Sequence, residues 1–241
     1  MTQDHQKHGA LSQPGNPEKA RDRSPAEGAA RVPKRQRGKE RVATLLAAAA
    51  AVFVDKGFEA ATMTEVAFVA GAAIGSLYQF FPSKEHLAEA LRRQCVDALC
   101  ETLHEFAGRV ALWDAPEIAT RLFQTLLDFH AGHPVLAVLA EIRRPPPAVV
   151  HDIRIRLRTA IADILSLKRP DLSRPQAQAI AGAILLVMKT AGTLRAEPDP
   201  QMRHAMLDEL RMMFRCYLET RIDCSALNDL RQSDAGIDNR V

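Results

Sequence analysis

Aromatic residues are scarce in this chain of 241 residues, at 5% of the total. No stretch of useful length alternates apolar and polar residues in the way that a half-buried β-strand does. Alanine and leucine dominate the 47% of residues that are hydrophobic, and this composition favours helix over sheet. The sequence therefore predicts an all-α fold, long enough for one to two domains.

Cysteine pairs, long apolar runs and catalytic fingerprints are missing as well. The four cysteines, Cys95, Cys100, Cys216 and Cys224, form no CxxC pair, which predicts reduced thiols in a reducing cytosol, with a redox switch as the alternative. The longest apolar run, 179–188, is too short to span a bilayer, and the polar N-terminus does not resemble a signal peptide. No GxSxG, P-loop, HExxH or dinucleotide-binding motif occurs. We therefore expect a cytoplasmic protein that is not an enzyme, does not enter a membrane and needs no cofactor.

One segment, 62–81, carries the strongest functional pattern in the chain. Thr62 and Glu65 have the spacing of a capping box, which predicts a short helix starting directly after Thr62. Gly71 supplies a turn residue that tolerates a left-handed backbone, and a second helix follows over about 73–80. Two short helices in this arrangement are the unit that places one helix in the DNA major groove.

The end of this segment predicts a phosphate contact. Pro82 stops the second helix because it lacks an N–H group, and Ser83 is a good N-cap for the next helix. Lys84 then lies in the first turn of that helix, where a positive charge is unfavourable for the helix alone. A bound phosphate would explain the lysine, since the free N–H groups and the ammonium would both bind the anion.

A longer set of residues around the segment has a family-specific order and spacing. These residues are Arg41, Leu45, Leu46, Ala47, Ala48, Phe53, Gly57, Phe58, Ala61, Thr62, Met63, Val66, Ala67, Ala70, Gly71, Gly75, Ser76, Leu77, Tyr78, Phe80, Phe81, Pro82, Ser83, Lys84, Glu85 and Leu87. In this order, residues 39–90 resemble the TetR/AcrR family of bacterial one-component transcriptional regulators. The resemblance implies an N-terminal three-helix helix-turn-helix DNA-binding domain and a C-terminal helical ligand-binding and dimerisation domain, about nine helices in all.

The motif and the resemblance together predict which residues contact double-stranded DNA. Family members usually carry serine where this chain has Ala73, and often a polar residue where it has Ile74. Ile74 cannot hydrogen-bond a base edge, but it can contact a thymine methyl group. The predicted DNA-binding residues are Arg41, Thr62, Ala72, Ala73, Ile74, Ser76, Tyr78, Gln79, Phe80 and Lys84.

Composition and charge divide the chain into four segments. Residues 1–38 are polar and hold eight basic against four acidic side chains. They predict a disordered basic extension that follows the minor groove, with a solvated tail as the alternative. Residues 39–85 are predicted to form the DNA-binding domain, 86–222 the ligand-binding and dimerisation domain, and 223–241 a flexible tail.

Apolar periodicity and the positions of prolines predict where the helices lie. The last two predicted helices are apolar on more than one face, so each has one face for its own core and another for a partner. They predict a homodimer that joins two such pairs into four helices, and the alternative is a monomer that buries both in one core. The predicted helices span 39–56, 63–70, 73–80, 83–109, 115–131, 134–144, 147–167, 174–195 and 200–222.

Apolar residues of 86–222 predict a pocket for an uncharged or lipophilic small-molecule effector, although a role in the core is the alternative for each. His130 and His133 stand three apart, but we expect no metal site. The predicted function is a ligand-responsive repressor that binds a palindromic operator as a homodimer and is released by the effector. The alternatives are a helical dimeric interaction protein and a redox- or metal-responsive regulator. The predicted ligand-binding residues are Leu103, Phe106, Trp113, Phe123, Leu127, His130, Leu157 and Met188.

Overall fold

A computed structural model describes residues 34–142, 147–194 and 197–223. These residues form nine α-helices and a short 3-10 turn at Val110–Leu112, with no strand among them, which confirms the predicted all-α class. The helices are α1 (Lys34–Ala60), α2 (Met63–Val69), α3 (Ile74–Phe80), α4 (Lys84–Ala107), α5 (Ala115–Gly132), α6 (Val135–Glu141), α7 (Pro147–Lys168), α8 (Arg174–Thr193) and α9 (Pro200–Ile222).

Helix boundaries differ from the prediction mainly at α1. This helix begins at Lys34, inside the extension that the sequence predicts to be disordered, and residues 1–33 lie outside the described part of the chain. Gly57 bends the helix with φ 76° and ψ 163° instead of ending it, a conformation that suits glycine because it has no Cβ. The predicted tail also lies outside the described residues from residue 224 onward.

An N-terminal cluster of buried apolar side chains joins α1, α2, α3, the first half of α4, and α6. Phe53 and Leu77 are fully buried in it. Val135 and Leu139 of α6 belong to the same cluster, although they follow α4 in the chain. The predicted domain boundary after residue 85 stays a prediction, but the apolar core continues across it into α4 and α6.

A C-terminal cluster joins the second half of α4 with α5, α7, α8 and α9. Leu103, Phe123 and Ile161 are fully buried there, and the rings of Phe123 and Phe214 meet edge to face at 5.3 Å. Helix α9 packs on α5 and α8 packs on α7, so each of the last two helices keeps an outer side that this core does not cover.

Helix α4 therefore runs through both clusters and connects them. A hydrogen bond adds to the apolar contacts between α6 and α4, because Arg92 Nη2 donates to the Leu139 carbonyl oxygen at 2.6 Å. That carbonyl lies in the last turn of α6, where a cation stabilises the negative end of the helix. Arg92 thus helps to hold α6 against the N-terminal cluster, although α6 follows α4 in the sequence.

Candidate nucleic-acid interface

The start of α2 is fixed by the predicted capping box, which the structure confirms. Thr62 N donates to Glu65 Oε2 at 3.0 Å, and Glu65 N donates to Thr62 Oγ1 at 3.2 Å. Lys56 of α1 also pairs with the Glu65 carboxylate. The hydrogen bond from Lys56, and after it those from Thr62, lower the pKa of Glu65 from 4.5 to about 2. The N-terminus of α2 is thereby attached to α1.

The turn between α2 and α3 has the geometry that the sequence predicts. Gly71 adopts φ 58°, a left-handed conformation that an L side chain rarely takes. The backbone N–H of Ala72 donates to the Ala67 carbonyl oxygen at 2.9 Å and closes the turn. The conformation of Gly71 and this hydrogen bond together determine the angle between α2 and α3.

Helix α3 is anchored by one side chain and turns its other sides outward. Leu77 is fully buried, whereas Ile74, Tyr78 and Phe80 keep 40%, 49% and 40% of their surface exposed. Ala73 is the N-cap and offers no side-chain hydrogen bond to the first turn. The helix itself contains no charged residue. The outer side of α3 is therefore uncharged and partly apolar.

Most of the predicted DNA-binding residues lie on α3 or in the segments next to it in the sequence, and none of them is buried. Arg41 lies on α1, while the others lie from the N-cap of α2 to the start of α4. The Thr62 hydroxyl already takes part in the capping box, so its contact with DNA would add to a structural role. The assignment of all these residues to DNA stays a prediction. Exposed or half-buried positions are Arg41, Thr62, Ala72, Ala73, Ile74, Ser76, Tyr78, Gln79, Phe80 and Lys84.

Lys84 has a partner inside the protein that the sequence did not indicate. Its Nζ donates to the Glu59 carbonyl oxygen at 2.8 Å and lies 4.6 Å from the centre of the Phe58 ring. The ammonium thus satisfies a carbonyl at the C-terminal end of α1, where a cation is favourable. This contact supplies a structural reason for a lysine in the first turn of α4, and the phosphate contact stays a prediction.

Ser83 occupies the N-cap position of α4 as predicted, but its side chain does not cap the helix. The hydroxyl lies 3.0 Å from His86 Nδ1, and no side-chain hydrogen bond reaches the backbone of the first turn. The N-cap position was therefore predicted correctly, but the predicted contact of the hydroxyl was wrong, because the hydroxyl is directed towards the His86 ring instead of the backbone of the first turn.

The outer sides of α8 and α9 are apolar where the sequence predicts a dimer interface. Met202, Met206 and Met213 of α9 are exposed and recur at intervals that place them on one side of the helix. Leu186 of α8 keeps 68% of its surface exposed. Glu209 lies between Met206 and Met213 on this side, so the exposed surface of α9 is mainly but not entirely apolar. Clustered exposed apolar side chains are typical of an interaction surface. Homodimerisation through 174–195 and 200–222 stays a prediction.

Most of the predicted ligand-binding residues lie in the C-terminal cluster. Leu103, Phe123 and Met188 are buried in it, and Leu127 and Leu157 pack against it. His130 is half-buried on α5. Packing in this core is the alternative role that the sequence left open for each of them, so their role as ligand contacts stays a prediction.

Two predicted ligand residues line a groove between α4 and α5. The groove has a volume of about 320 Å³. The Phe106 and Trp113 rings lie 4.9 Å apart at its apolar end, and the Arg121 guanidinium stands 4.9 Å from the Trp113 ring. The polar lining is what the sequence analysis missed, although the spacing of three and four along α4 and α5 could have indicated it. That lining consists of Thr102, Glu105, Arg109, Arg121, Gln124, Thr125 and Asp128.

Metal and thiol chemistry find little support in the described residues. No group of three or more potential metal-ligating side chains occurs there, and His133 Nδ1 lies 2.8 Å from the Phe129 carbonyl oxygen. Burial raises the pKa of the Cys95 and Cys100 thiols, which disfavours the reactive thiolate. Cys224 lies outside the described part of the chain. No helix in that part is long and apolar enough to cross a membrane.

Two family models match the chain. Residues 45–91 match the model for bacterial regulatory proteins of the tetR family, and residues 114–218 match the tetracyclin repressor-like C-terminal domain. The first match covers the capped α2, the turn and α3. The second covers most of α5 to α9.

Individual proteins are similar to this chain in two ways. The HTH-type transcriptional repressor KstR2 of Mycolicibacterium smegmatis is 44% identical over 55 residues, or 23% of this chain. The HTH-type transcriptional activator FasR of the same organism is 48% identical over 60 residues, or 25% of this chain. Each match spans only 27% of the relative's length. The crystal structure of FadR from Bacillus subtilis in complex with stearoyl-CoA is 17% identical, with a TM-score of 0.55, over 75% of this chain and 97% of that one. This last likeness concerns the fold.

Proposed function

This chain belongs to the bacterial TetR family of DNA-binding transcriptional regulators, and we propose that it is a ligand-responsive repressor that binds a palindromic operator as a homodimer. The observation that carries the proposal is the outward side of α3, which Leu77 anchors and the Gly71 turn positions. A helix held in this way can enter the major groove as one rigid piece. Its proposed place of action is the cytoplasm, where bacterial DNA lies.

The dimer is proposed from the outer sides of α8 and α9. Two copies that pack these sides together would bury the exposed methionines and Leu186 in four helices related by a two-fold axis. The two α3 helices would then read two inverted half-sites, about one helical turn of DNA or a multiple apart. The palindromic operator follows from this symmetry.

The effector is proposed to be a small lipophilic molecule held by the helices of 86–222. The supply of apolar side chains in the C-terminal cluster supports it, and so do the Phe106 and Trp113 rings at the apolar end of the groove between α4 and α5. FadR from Bacillus subtilis, which shares the fold, was crystallised in complex with stearoyl-CoA, so long-chain acyl compounds are the first class to test. Release requires that the effector bind the DNA-free arrangement of the dimer more tightly than the DNA-bound one.

Selection of genomic fragments by the purified protein tests the proposal. We expect enrichment of an inverted repeat close to a promoter, with binding that weakens steeply as salt increases. A reporter driven by that promoter should be silenced by the protein and released by an active effector. The two curated relatives are named a repressor and an activator. If the protein switches the reporter on, the proposal of repression is refuted, but the proposal of DNA-binding regulation is not. A folded protein that enriches no DNA at low salt would instead favour the helical interaction protein.

Tyr78→Ala tests the orientation of α3. Tyr78 is half exposed on the outer side of the helix, so its loss should cost little stability but reduce operator binding about 30-fold or more. Fluorescence anisotropy measures the affinity, and sedimentation verifies that the variant assembles as the wild type does. Tyr78→Phe separates the contribution of the hydroxyl from that of the ring. Unchanged operator binding by Tyr78→Ala would place this side of α3 away from the DNA.

A further inference from the structure

The DNA-facing part of the chain has almost no charge with which to read bases. Between residues 63 and 83 the only charged side chain is Glu65, and it is bound to Lys56 and Thr62. The commonest charged base contact, an arginine or lysine on guanine, therefore has no donor on α3. Base recognition by α3 has to rely on apolar contacts and on neutral hydrogen-bonding groups.

Gly75 is a glycine that the protein alone does not require. Its φ is not positive, unlike that of Gly71, and a Cβ built on it would meet no atom within 4 Å. A helix is less stable with glycine than with alanine at an interior position. Neither the backbone conformation nor the packing of the protein therefore explains why residue 75 is a glycine. Gly75 lies two residues before the buried Leu77 and hence on the opposite side of α3. The free space at Gly75 is on the side that faces the DNA in the proposed function.

Ile74 and Gln79 flank this free space. Ile74 is exposed, is β-branched, and extends from the first position of α3. Gln79 follows Gly75 by four residues, so both lie on the same outer side, and its amide can hydrogen-bond a base edge. The outer side of α3 thus offers a close approach at Gly75, the exposed rings of Tyr78 and Phe80, the neutral hydrogen-bonding groups of Tyr78 and Gln79, and Ile74 as an aliphatic contact.

We propose that α3 reads the 5-methyl group of a thymine through Ile74, at a close approach to the groove that Gly75 permits. The inference rests on the proposed function, because it requires α3 to lie in the major groove. Thymine is the base that exposes an apolar group there, and an apolar side chain is the matching contact. The half-site is therefore defined in part by a methyl group.

Replacement of single thymines by deoxyuridine in the selected operator tests the methyl contact. Deoxyuridine keeps every hydrogen-bonding group and removes only the methyl group. We expect the affinity of the wild type to fall about fourfold at one position of each half-site, as for the loss of one buried methylene. Ile74→Ala should bind both duplexes equally, and Ile74→Val should keep part of the difference.

Two outcomes would overturn this inference while leaving the proposed function intact. One is an operator on which no thymine position is sensitive to loss of its methyl group. The other is an equal loss in the wild type and in Ile74→Ala, because the methyl group would then be read by another residue. Failure to select any DNA would refute the proposed function itself, and this result differs from both outcomes above, in which the protein still binds an operator.

Gly75→Ala tests the close approach independently. Since the added methyl group meets open space in the protein, the melting temperature should stay equal or rise. Operator affinity should nevertheless fall at least tenfold, because the methyl group would contact the DNA. Gly132→Ala at the end of α5, where the new Cβ also meets no atom within 4 Å and which lies outside α3, α8 and α9, is the matched control and should leave DNA binding unchanged. Full operator binding by Gly75→Ala, or a lowered melting temperature, would contradict the role given to this glycine.

Discussion

The outer sides of α3 and α9 both expose apolar residues, yet they are built in opposite ways. On α3 the centre of the outer side is Gly75 with Gln79, and the larger side chains stand at the edges. On α9 the outer side carries Met202, Met206 and Met213, which are long and unbranched. A surface that lacks bulk suits a partner of fixed shape that comes very close, whereas flexible methionines suit a protein surface that can repack. The comparison is consistent with the proposed roles of α3 as the DNA contact and of α9 as the contact with a second copy of the chain.

The two surfaces are also attached in different ways. Helix α3 is short and is anchored by the buried Leu77, while the capping box of α2 and the left-handed Gly71 fix the segment that leads into it. Helix α9 is long and is held by burial of Phe214 and Leu218 along its inner side, with the Asp199 side chain as its N-cap. The position of α3 therefore depends on the local geometry of α2 and the turn, whereas that of α9 depends on packing along its length.

The largest effect is expected on the α9 side, from Met206→Lys combined with Met213→Lys. If these side chains are buried in a dimer, two unpaired charges per chain would enter an apolar interface at a cost of several kcal/mol. The dissociation constant of the dimer should then rise at least 100-fold, as measured by sedimentation over a concentration series. Leu112→Lys, at a residue that is 81% exposed outside α8 and α9, is the control and should assemble like the wild type. If the double variant assembles like the wild type, the methionines of α9 do not lie in a dimer interface, and the proposed difference in partner between α9 and α3 is contradicted.

A smaller effect is expected from Lys84→Ala, at the edge of the DNA-reading side, and it has two parts: one on the stability of the fold and one on the affinity for DNA. Loss of the hydrogen bond to the Glu59 carbonyl should lower the free energy of unfolding by about 1 kcal/mol. If Lys84 also binds a phosphate, affinity should fall on all sequences and the salt dependence should decrease by about one ion.

Denaturant titration and anisotropy at several salt concentrations separate these two contributions of Lys84. Lys84→Arg keeps the charge and is the matched control. A variant that loses stability but keeps the wild-type salt dependence would assign Lys84 to the fold alone.

The smallest effect is expected from the protonation of Glu65 in acid, beside the DNA-reading side. The pKa of Glu65 is lowered to about 2 in the folded protein, so its contribution to stability is present above pH 4.5 and is lost as the pH falls towards 2. Glu65→Gln should be less stable than the wild type at pH 7, and the difference should shrink as the pH falls through this range. Melting temperatures at pH 7 and pH 3 measure it. A constant difference at both values would mean that the Glu65 carboxylate contributes no pH-dependent stability.

Local features of the fold could be predicted from the sequence because they depend on residues a few positions apart. The Thr62–Glu65 capping box, the Gly71 turn and the order of the helices are of this kind. The contact between Lys84 and the Glu59 carbonyl joins residues 25 positions apart, and no periodicity indicates it. The polar lining of the groove recurs at intervals of three and four along α4 and α5, but the groove itself could not be predicted, because the pairing of these two helices is a property of the folded chain.

The position of α6 has a consequence for engineering. Because Val135 and Leu139 complete the N-terminal cluster, a fragment cut after α4 would leave an open apolar hollow between α1 and α4. A chimera that joins the N-terminal cluster to the ligand-binding domain of another protein would have to include the segment from Val135 to Ile142. It would also have to keep Arg92, which hydrogen-bonds this segment. The N-terminal cluster and the proposed ligand-binding helices are thus not separable modules, since α6 follows α4 in the sequence but completes the N-terminal cluster.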